Sequence, residues 1–263
     1  MNTKPIKGTR EWAVAEINCS LGCPNDCRYC YARAAALRSG KIAGPGEWKE
    51  CVVLAQDPAL AARRYGGQIM FPSVHDIVEE NIDASVKLLK SLLGAGNRVL
   101  IVSKPRLACI KSLCAELVEF RDNIQFRFTI TARDDAILRF WEPGAPSYRE
   151  RVASLEYAFA HGFTTSVSVE PMLDFPDVVA MVYQLLPYVS ATVWLGKMNK
   201  IDERIRTDSA RTEEEIARIK KGQADKNICA LYHQLKELAQ IRWKESIKSV
   251  VGLPLVQEPG LDI

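Results

Sequence analysis

The sequence predicts an α/β protein, a partial (β/α)6 TIM-like barrel with a C-terminal helical cover, and three observations carry that prediction. Short apolar runs alternate with segments of helical periodicity from about residue 11 to about residue 199. The intervening helices, about 10 to 15 residues long, are the length that crossovers between parallel strands require. After Gly196 the alternation stops and a segment dense in both charge signs takes over. At 263 residues one domain is expected over 1–263, with barrel core about 11–199 and helical segment about 200–263.

Residues 12–17 alternate enough to form a first strand, which leads directly into a cysteine-rich loop. An alanine-rich helix is expected over 31–37, then a loop through Gly40, Gly44, Pro45 and Gly46. Residues 68–71 form a second strand ending at Pro72 and Ser73. Ile82, Val86, Leu89, Leu92 and Leu93 recur at helical spacing until Gly94 and Gly96 end the helix. Strand 98–102, helix 108–120 and strand 125–131 repeat the unit. Ser147 and Glu150 make a capping box for a helix running to about residue 161, and Gly162 stops it. Strand 165–169, a helix with Pro176 in its first turn, and strand 192–195 complete six units. A charged stretch from Arg211 to Lys221 reads as a solvated face, and helix 227–243 would place Ile228, Leu231, Leu235, Leu238 and Ile241 on one side.

Apolar residues make up 48% and charged residues 25%, ordinary for a globular chain, so disordered and fibrous classes are excluded. Lys+Arg 35 against Asp+Glu 32 leaves +3, too small a surplus to announce a nucleic-acid binder. The first eight residues lack the apolar core of a signal peptide, and no apolar run could span a bilayer; a cytoplasmic protein with no membrane partner is expected. In that compartment eight cysteines argue for thiols or metal ligands rather than disulfides. Cys51, Cys109, Cys114 and Cys229 stand singly and read as small buried hydrophobes.

The other four lie between Asn18 and Tyr31. Cys23, Cys27 and Cys30 have C-x3-C-x2-C spacing, which lets a tight loop wrap three thiolates around an iron–sulfur cluster and leave one iron without a protein ligand. Structural zinc sites usually join two ligand pairs across a longer spacer, and no second pair follows here. Cys19 is out of register for the last step and reads as a non-ligand. Around the expected barrel mouth, His75, Asp76, Arg133, Glu142 and Glu170 are further polar candidates. An internal salt bridge would equally account for Glu142, Arg133 or Glu170.

These residues resemble the radical S-adenosylmethionine superfamily, whose signature is this cysteine spacing after the first strand of a partial (β/α)6 barrel. Gly22-Cys23-Pro24 with Tyr29-Cys30-Tyr31, Asp76-Ile77-Val78, Lys104, Arg127 to Ile130, and Phe140-Trp141-Glu142-Pro143 are similar, in order, to the spore photoproduct lyase and DNA-repair-photolyase-like subgroup. The resemblance covers about residues 12–175. It implies a 4Fe–4S cluster on Cys23, Cys27 and Cys30, with S-adenosylmethionine chelated at the open iron. One electron, from a reductant protein such as flavodoxin or ferredoxin, would yield a 5′-deoxyadenosyl radical that abstracts hydrogen from the substrate. It further implies Tyr29 near the adenine, Lys104 near the methionine carboxylate and Thr129 near the ribose.

Two departures bear on substrate. The subgroup's hydrogen-returning cysteine is replaced by Ser73, although both tyrosines of its relay are present as Tyr29 and Tyr31. Glu170 stands before Pro171 where the lyases carry an apolar residue, and could hold the cofactor's amino group or a polar substrate; His75 is a candidate for a hydrogen bond to either. Nucleic acid is the substrate class the resemblance implies. A small molecule or peptide is the alternative, and a non-catalytic metal-stabilised binding module is the alternative from another class.

Overall fold

The computed structural model describes residues 6–205 and 207–261; part of the N-terminal stretch and of the expected C-terminal cover lies outside the described residues. Strand β1 (Ala15–Glu16) is followed by β2 (Ser20–Leu21) and β3 (Val52–Val53), which pair antiparallel with each other. Then come β4 (Ile69–Phe71), β5 (Val99–Ser103), β6 (Ile124–Thr129), β7 (Thr164–Val169), β8 (Val193–Leu195) and β9 (Ile241–Trp243). These six and β1 form one parallel sheet in the order β1-β4-β5-β6-β7-β8-β9, curled as a half-barrel.

The helices are α1 (Tyr31–Arg38), α2 (Pro58–Ala61), α3 (Ile82–Gly94), α4 (Leu107–Glu116), α5 (Asp135–Trp141) and α6 (Tyr148–Ala160). They continue with α7 (Val178–Leu185), α8 (Ile201–Arg204), α9 (Ala210–Gly222), α10 (Asp225–Leu235) and α11 (Glu245–Val251). Among the described residues no helix is long and apolar enough to cross a membrane.

Side-chain alternation along the strands decides which face does what. Ile69, Phe71, Val99, Ile101, Phe126, Phe128, Val167 and Val169 point outward and pack with Leu89 and Leu92 of α3 and Ile110 and Leu113 of α4. Each such side chain taken fully out of water contributes about 1.5–3 kcal/mol. The concave face is mixed: Met70, Leu100 and Trp194 lie beside Trp12, and the buried Arg127 stacks its guanidinium 4.5 Å from the Trp12 ring and 5.2 Å from Trp194.

Three expectations change. The first strand is shorter than 12–17, because a 3-10 turn at Gly8–Glu11 carries Trp12 into the concave side. Residues 135–141, to which the sequence reading gave no element, form α5, started by Asp134 accepting from the Ala136 amide at 2.6 Å. The helix expected over 227–243 ends at Leu235, and Ile241 and Trp243 belong to a seventh strand, paired with Val193 and Leu195. Edge pairing with β8 satisfies the backbone there and overrides the helical spacing of the apolar residues. The Ser147 cap forms as expected, accepting from the Glu150 amide at 3.3 Å. The Arg211 to Lys221 stretch also forms a solvated helix, with Thr212, Ile216 and Ile219 on its buried face.

Candidate active site at the cysteine loop

The loop between β2 and α1 is held from three sides. Gly22 has φ +87°, and a Cβ there would sit 1.8 Å from the Glu50 carbonyl oxygen, so glycine is required. The Cys23 amide donates to the Trp48 carbonyl at 2.7 Å. On the second side the Arg28 amide donates to the Trp141 carbonyl at 2.8 Å, and the Gly144 amide to the Asn25 carbonyl at 3.1 Å. A Cβ on Gly144 would lie 2.0 Å from the Pro24 carbonyl oxygen. On the third side the buried Asp76 carboxylate accepts from Asn25 Nδ2 at 2.8 Å, the Lys104 amide at 3.0 Å, the Ile77 amide at 2.8 Å and the Ser103 hydroxyl. Asp76 thus ties the loop to the C-terminal ends of β4 and β5.

Cys23 and Cys27 are buried, Cys30 is half-buried, and all three are free thiols. Cys30 caps α1, its sulfur accepting from the Arg33 amide at 3.4 Å. Burial, with the Asp76 carboxylate nearby, pushes Cys23 up to about 12, and burial also raises Cys27. Sulfurs in this setting become thiolates when a metal supplies the positive charge. Among the described residues, no three Cys, His, Asp or Glu side chains converge on a single ion. A cubane spreads three thiolates over three irons, so the fit rests on the donor set and on the cation facing it.

That cation is Lys104, after β5. Its ammonium lies 5.6 Å from the centre of the Tyr29 ring and makes no hydrogen bond or ion pair with any described residue. Burial opposes its charge, but Cys27, Glu142 and Asp76 outweigh burial and raise it above the ordinary lysine value. An ammonium without a hydrogen-bond or ion-pair partner, close enough to act on Cys23 and Cys27, fits a site built for further negative charge.

Tyr29 donates its hydroxyl to Glu142 Oε1, which also accepts from the Thr131 hydroxyl at 2.9 Å. Glu142 Oε2 pairs with Arg151 at 2.6 Å, neither side chain exposed. Burial works to raise the Glu142 carboxyl, yet Arg151, Lys104 and the Tyr29 hydroxyl together hold it below its usual value. Arg151 also donates to the Thr129 carbonyl at 3.3 Å, so one network sets Tyr29 and the end of β6, where Thr129 lies buried. Arg133 pairs instead with Asp177 at 3.0 Å, away from Glu142. The partner of Glu142 lies in a helix that sequence proximity did not suggest.

Tyr31 is 41% exposed and donates to the Ser73 carbonyl. Ser73 is buried; its hydroxyl accepts from Asn18 Nδ2 at 3.0 Å and its amide donates to Asn18 Oδ1 at 2.8 Å. His75 Nε2 accepts from the Cys19 amide at 3.0 Å while Nδ1 donates to the Asp76 carbonyl at 2.8 Å. Burial lowers its affinity for a second proton. Both nitrogens therefore serve the protein, and His75 anchors the loop in place of the expected bond to cofactor or substrate. Cys19 is fully buried, 3.4 Å from the Ser85 hydroxyl and turned from the loop's other sulfurs into the outer core.

Glu170 follows β7 at the barrel mouth, its carboxyl raised by burial, with Lys244 3.8 Å away. Lys244 has closer partners in Glu11 at 2.7 Å and the Gly8 carbonyl at 2.7 Å. Gly196 lets these chains meet: a Cβ there would be 2.9 Å from both Glu170 Cγ and Lys244 Cγ. The sequence reading missed Asn25, Arg151, Lys244, Glu11 and Arg106, whose guanidinium donates to Asn25 Oδ1 at 3.0 Å and to the Gly144 carbonyl at 2.8 Å. None of these left a local signal in the sequence; Lys244 sits in a mixed stretch, Ile241-Arg242-Trp243-Lys244-Glu245, that does not mark it out.

The model of the Radical SAM superfamily matches residues 17–179. An uncharacterized protein of Methanocaldococcus jannaschii is 26% identical over 183 residues, 68% of either chain. Among solved structures, Streptococcus suis SuiB bound to precursor peptide SuiA superposes with a TM-score of 0.57 at 10% identity, covering 92% of this chain and 51% of that one. Spore photoproduct lyase complexed with dinucleoside spore photoproduct gives 0.53 at 16% identity, covering 83% and 64%. The chain thus spans about half of SuiB and less than two thirds of the lyase, and at these identities the likeness is one of fold. The family match takes in the whole cysteine loop, the ends of β4 to β7 and the Glu142 network, and on it this chain belongs to the radical S-adenosylmethionine superfamily, enzymes that use a 4Fe–4S cluster and S-adenosylmethionine.

Proposed function

We propose that Cys23, Cys27 and Cys30 hold the cluster and that the concave mouth between Lys104 and Glu170 receives S-adenosylmethionine. The observation that carries this is the loop itself: three free thiols on a backbone braced by Gly22, Gly144 and Asp76, with the unpaired Lys104 ammonium beside them. Bound there and reduced, the cluster would supply the electron for reductive cleavage of S-adenosylmethionine, the source of the superfamily's hydrogen-abstracting radical chemistry.

The chain's own residues do the positioning. Lys104 meets the methionine carboxylate as a charge-assisted hydrogen-bond donor. Thr129 offers a hydroxyl to the ribose, and the Tyr29 ring, its hydroxyl held by Glu142, flanks the adenine. Glu170 accepts from the amino group of the cofactor or from a polar substrate. Tyr31 and Ser73 lie beside the loop where the substrate is handled. The electron donor is a flavodoxin- or ferredoxin-class protein, and the setting is cytoplasmic. Nucleic acid is the substrate class favoured by the lyase-like motifs, and a small molecule or a peptide is the alternative.

Anaerobic reconstitution tests the reading. Iron and sulfide should give about four irons per chain, and dithionite with S-adenosylmethionine should give 5′-deoxyadenosine. Cys30→Ala should abolish both signals; cleavage surviving in that variant would remove Cys30 as a ligand.

A further inference from the structure

A cavity of about 280 Å³ opens beside Cys30, on the outer side of the loop. Arg28, Arg33 and Arg204 line it together with Asp26 and Asp208. Two of the guanidiniums are already engaged. Arg33 meets Asp26 at 2.5 Å and the Arg28 carbonyl at 3.2 Å, while Arg28 meets Asp208 at 3.4 Å and the Phe140 carbonyl at 2.8 Å. The guanidinium of Arg204, the last residue of α8, makes no hydrogen bond or ion pair with any described residue. Its guanidinium carbon lies 6.0 Å from the centre of the Tyr31 ring, and its charge pulls on the Glu170 carboxyl. Three guanidiniums therefore face two carboxylates, and the uncompensated one stands between the cavity and the barrel mouth.

A guanidinium presents donors in a planar fork that matches the two oxygens of a carboxylate or phosphate. The Tyr31 ring gives this one a face to rest on, leaving its donors available to whatever enters. Glu170 on the inner side repels a second anion, which sets a direction: negative end outward in the cavity, neutral end inward toward Tyr31 and Ser73.

We infer that Arg204 binds an oxyanion group of the substrate, a phosphate or a carboxylate, seated in this cavity. The inference rests on the proposed radical chemistry for calling the ligand a substrate, and adds the charge of the group that is recognised.

The test uses full-length reconstituted protein saturated with S-adenosylmethionine. Inorganic phosphate and, separately, acetate are titrated calorimetrically into the native protein, Arg204→Gln and Arg204→Lys, with thermal unfolding of each as a check on folding. Binding of at least one anion by the native protein is expected, weakened about tenfold or more in Arg204→Gln and retained in part by Arg204→Lys. The tighter of the two anions distinguishes a phosphorylated substrate from a carboxylated one. Absence of binding to the native protein, or equal binding by native protein and Arg204→Gln, overturns the proposal. Formation of 5′-deoxyadenosine is followed in the same native sample: its failure alongside Arg204-dependent anion binding would fault the radical reading and leave the anion site standing.

Discussion

The Glu142 carboxylate and the Arg151 guanidinium lie 2.6 Å apart with neither side chain exposed, and through Tyr29 this pair fixes the inner wall of the cysteine loop. Removing one member of such a pair leaves the other charge buried and uncompensated. Glu142→Ala should therefore lower stability by about 3–5 kcal/mol, measured by urea unfolding. Because the folded-state carboxyl is held below its usual value, its contribution is present above the unfolded carboxyl value and is lost as pH falls through the lower folded one. A native protein with no steeper acid-side loss than Glu142→Gln would contradict this.

Asp76 gathers Asn25, Ser103 and the amides of Ile77 and Lys104 on one carboxylate. Asp76→Ala should cost about 3 kcal/mol or more, since hydrogen bonds to a charged group contribute about 1.5–3 kcal/mol each. Iron retained after reconstitution should fall with it, because the loop loses its tie to β4 and β5. Unchanged iron content would show that the loop needs no such brace.

Gly144→Ala should displace the backbone at Pro24, since the added carbon would fall 2.0 Å from the Pro24 carbonyl oxygen. Iron content after reconstitution is the measurement, with Gly46→Ala as the control because a Cβ at Gly46 meets nothing within 4 Å. Equal losses in the two variants would mean that the close approach at Gly144 is unimportant.

Glu11 is pushed up to about 8 by burial and by its hydrogen bond with Glu245, against the pull of Lys244. Between the unfolded carboxyl value of 4.5 and about 8, the folded chain keeps a proton that the unfolded chain has released. Stability attributable to this group therefore declines as pH rises across that window. Denaturant midpoints at pH 6 and pH 9 should differ in the native protein and differ less in Glu11→Gln.

Ser73 stands where the lyase-like subgroup's hydrogen-donating cysteine is expected, and an O–H bond is far harder to cleave homolytically than an S–H bond. The native protein should therefore not turn over dinucleoside spore photoproduct to repaired product. Clean turnover, followed by chromatography of the reaction mixture, would refute this.

Much of the site was legible from sequence because its information is local. Three cysteines at fixed spacing, a strand before them and a helix after them need no distant partner to be recognised, and the apolar run at β5 and the β-branched and aromatic alternation at β6 and β7 mark strands unaided. Glu170 was singled out by its place just beyond a strand's C-terminal end, where parallel barrels expose their functional residues, whereas Lys104 and Thr129 were candidates only through the resemblance to the radical S-adenosylmethionine superfamily. Tertiary structure decided the pairings. The seventh strand is three residues long and its apolar spacing matched a helix, so only the vacant edge of β8 makes it a strand. His75 looked available to a ligand until the Cys19 amide took its second nitrogen, and Glu142 found Arg151 rather than Arg133. Glu11 and Lys244, near opposite ends of the chain, meet because the half-barrel brings the N-terminal turn to the exit of its last strand. Spacing along a chain records which backbone a segment prefers, whereas the partner of a buried charge is set by which segments the fold brings within hydrogen-bond reach.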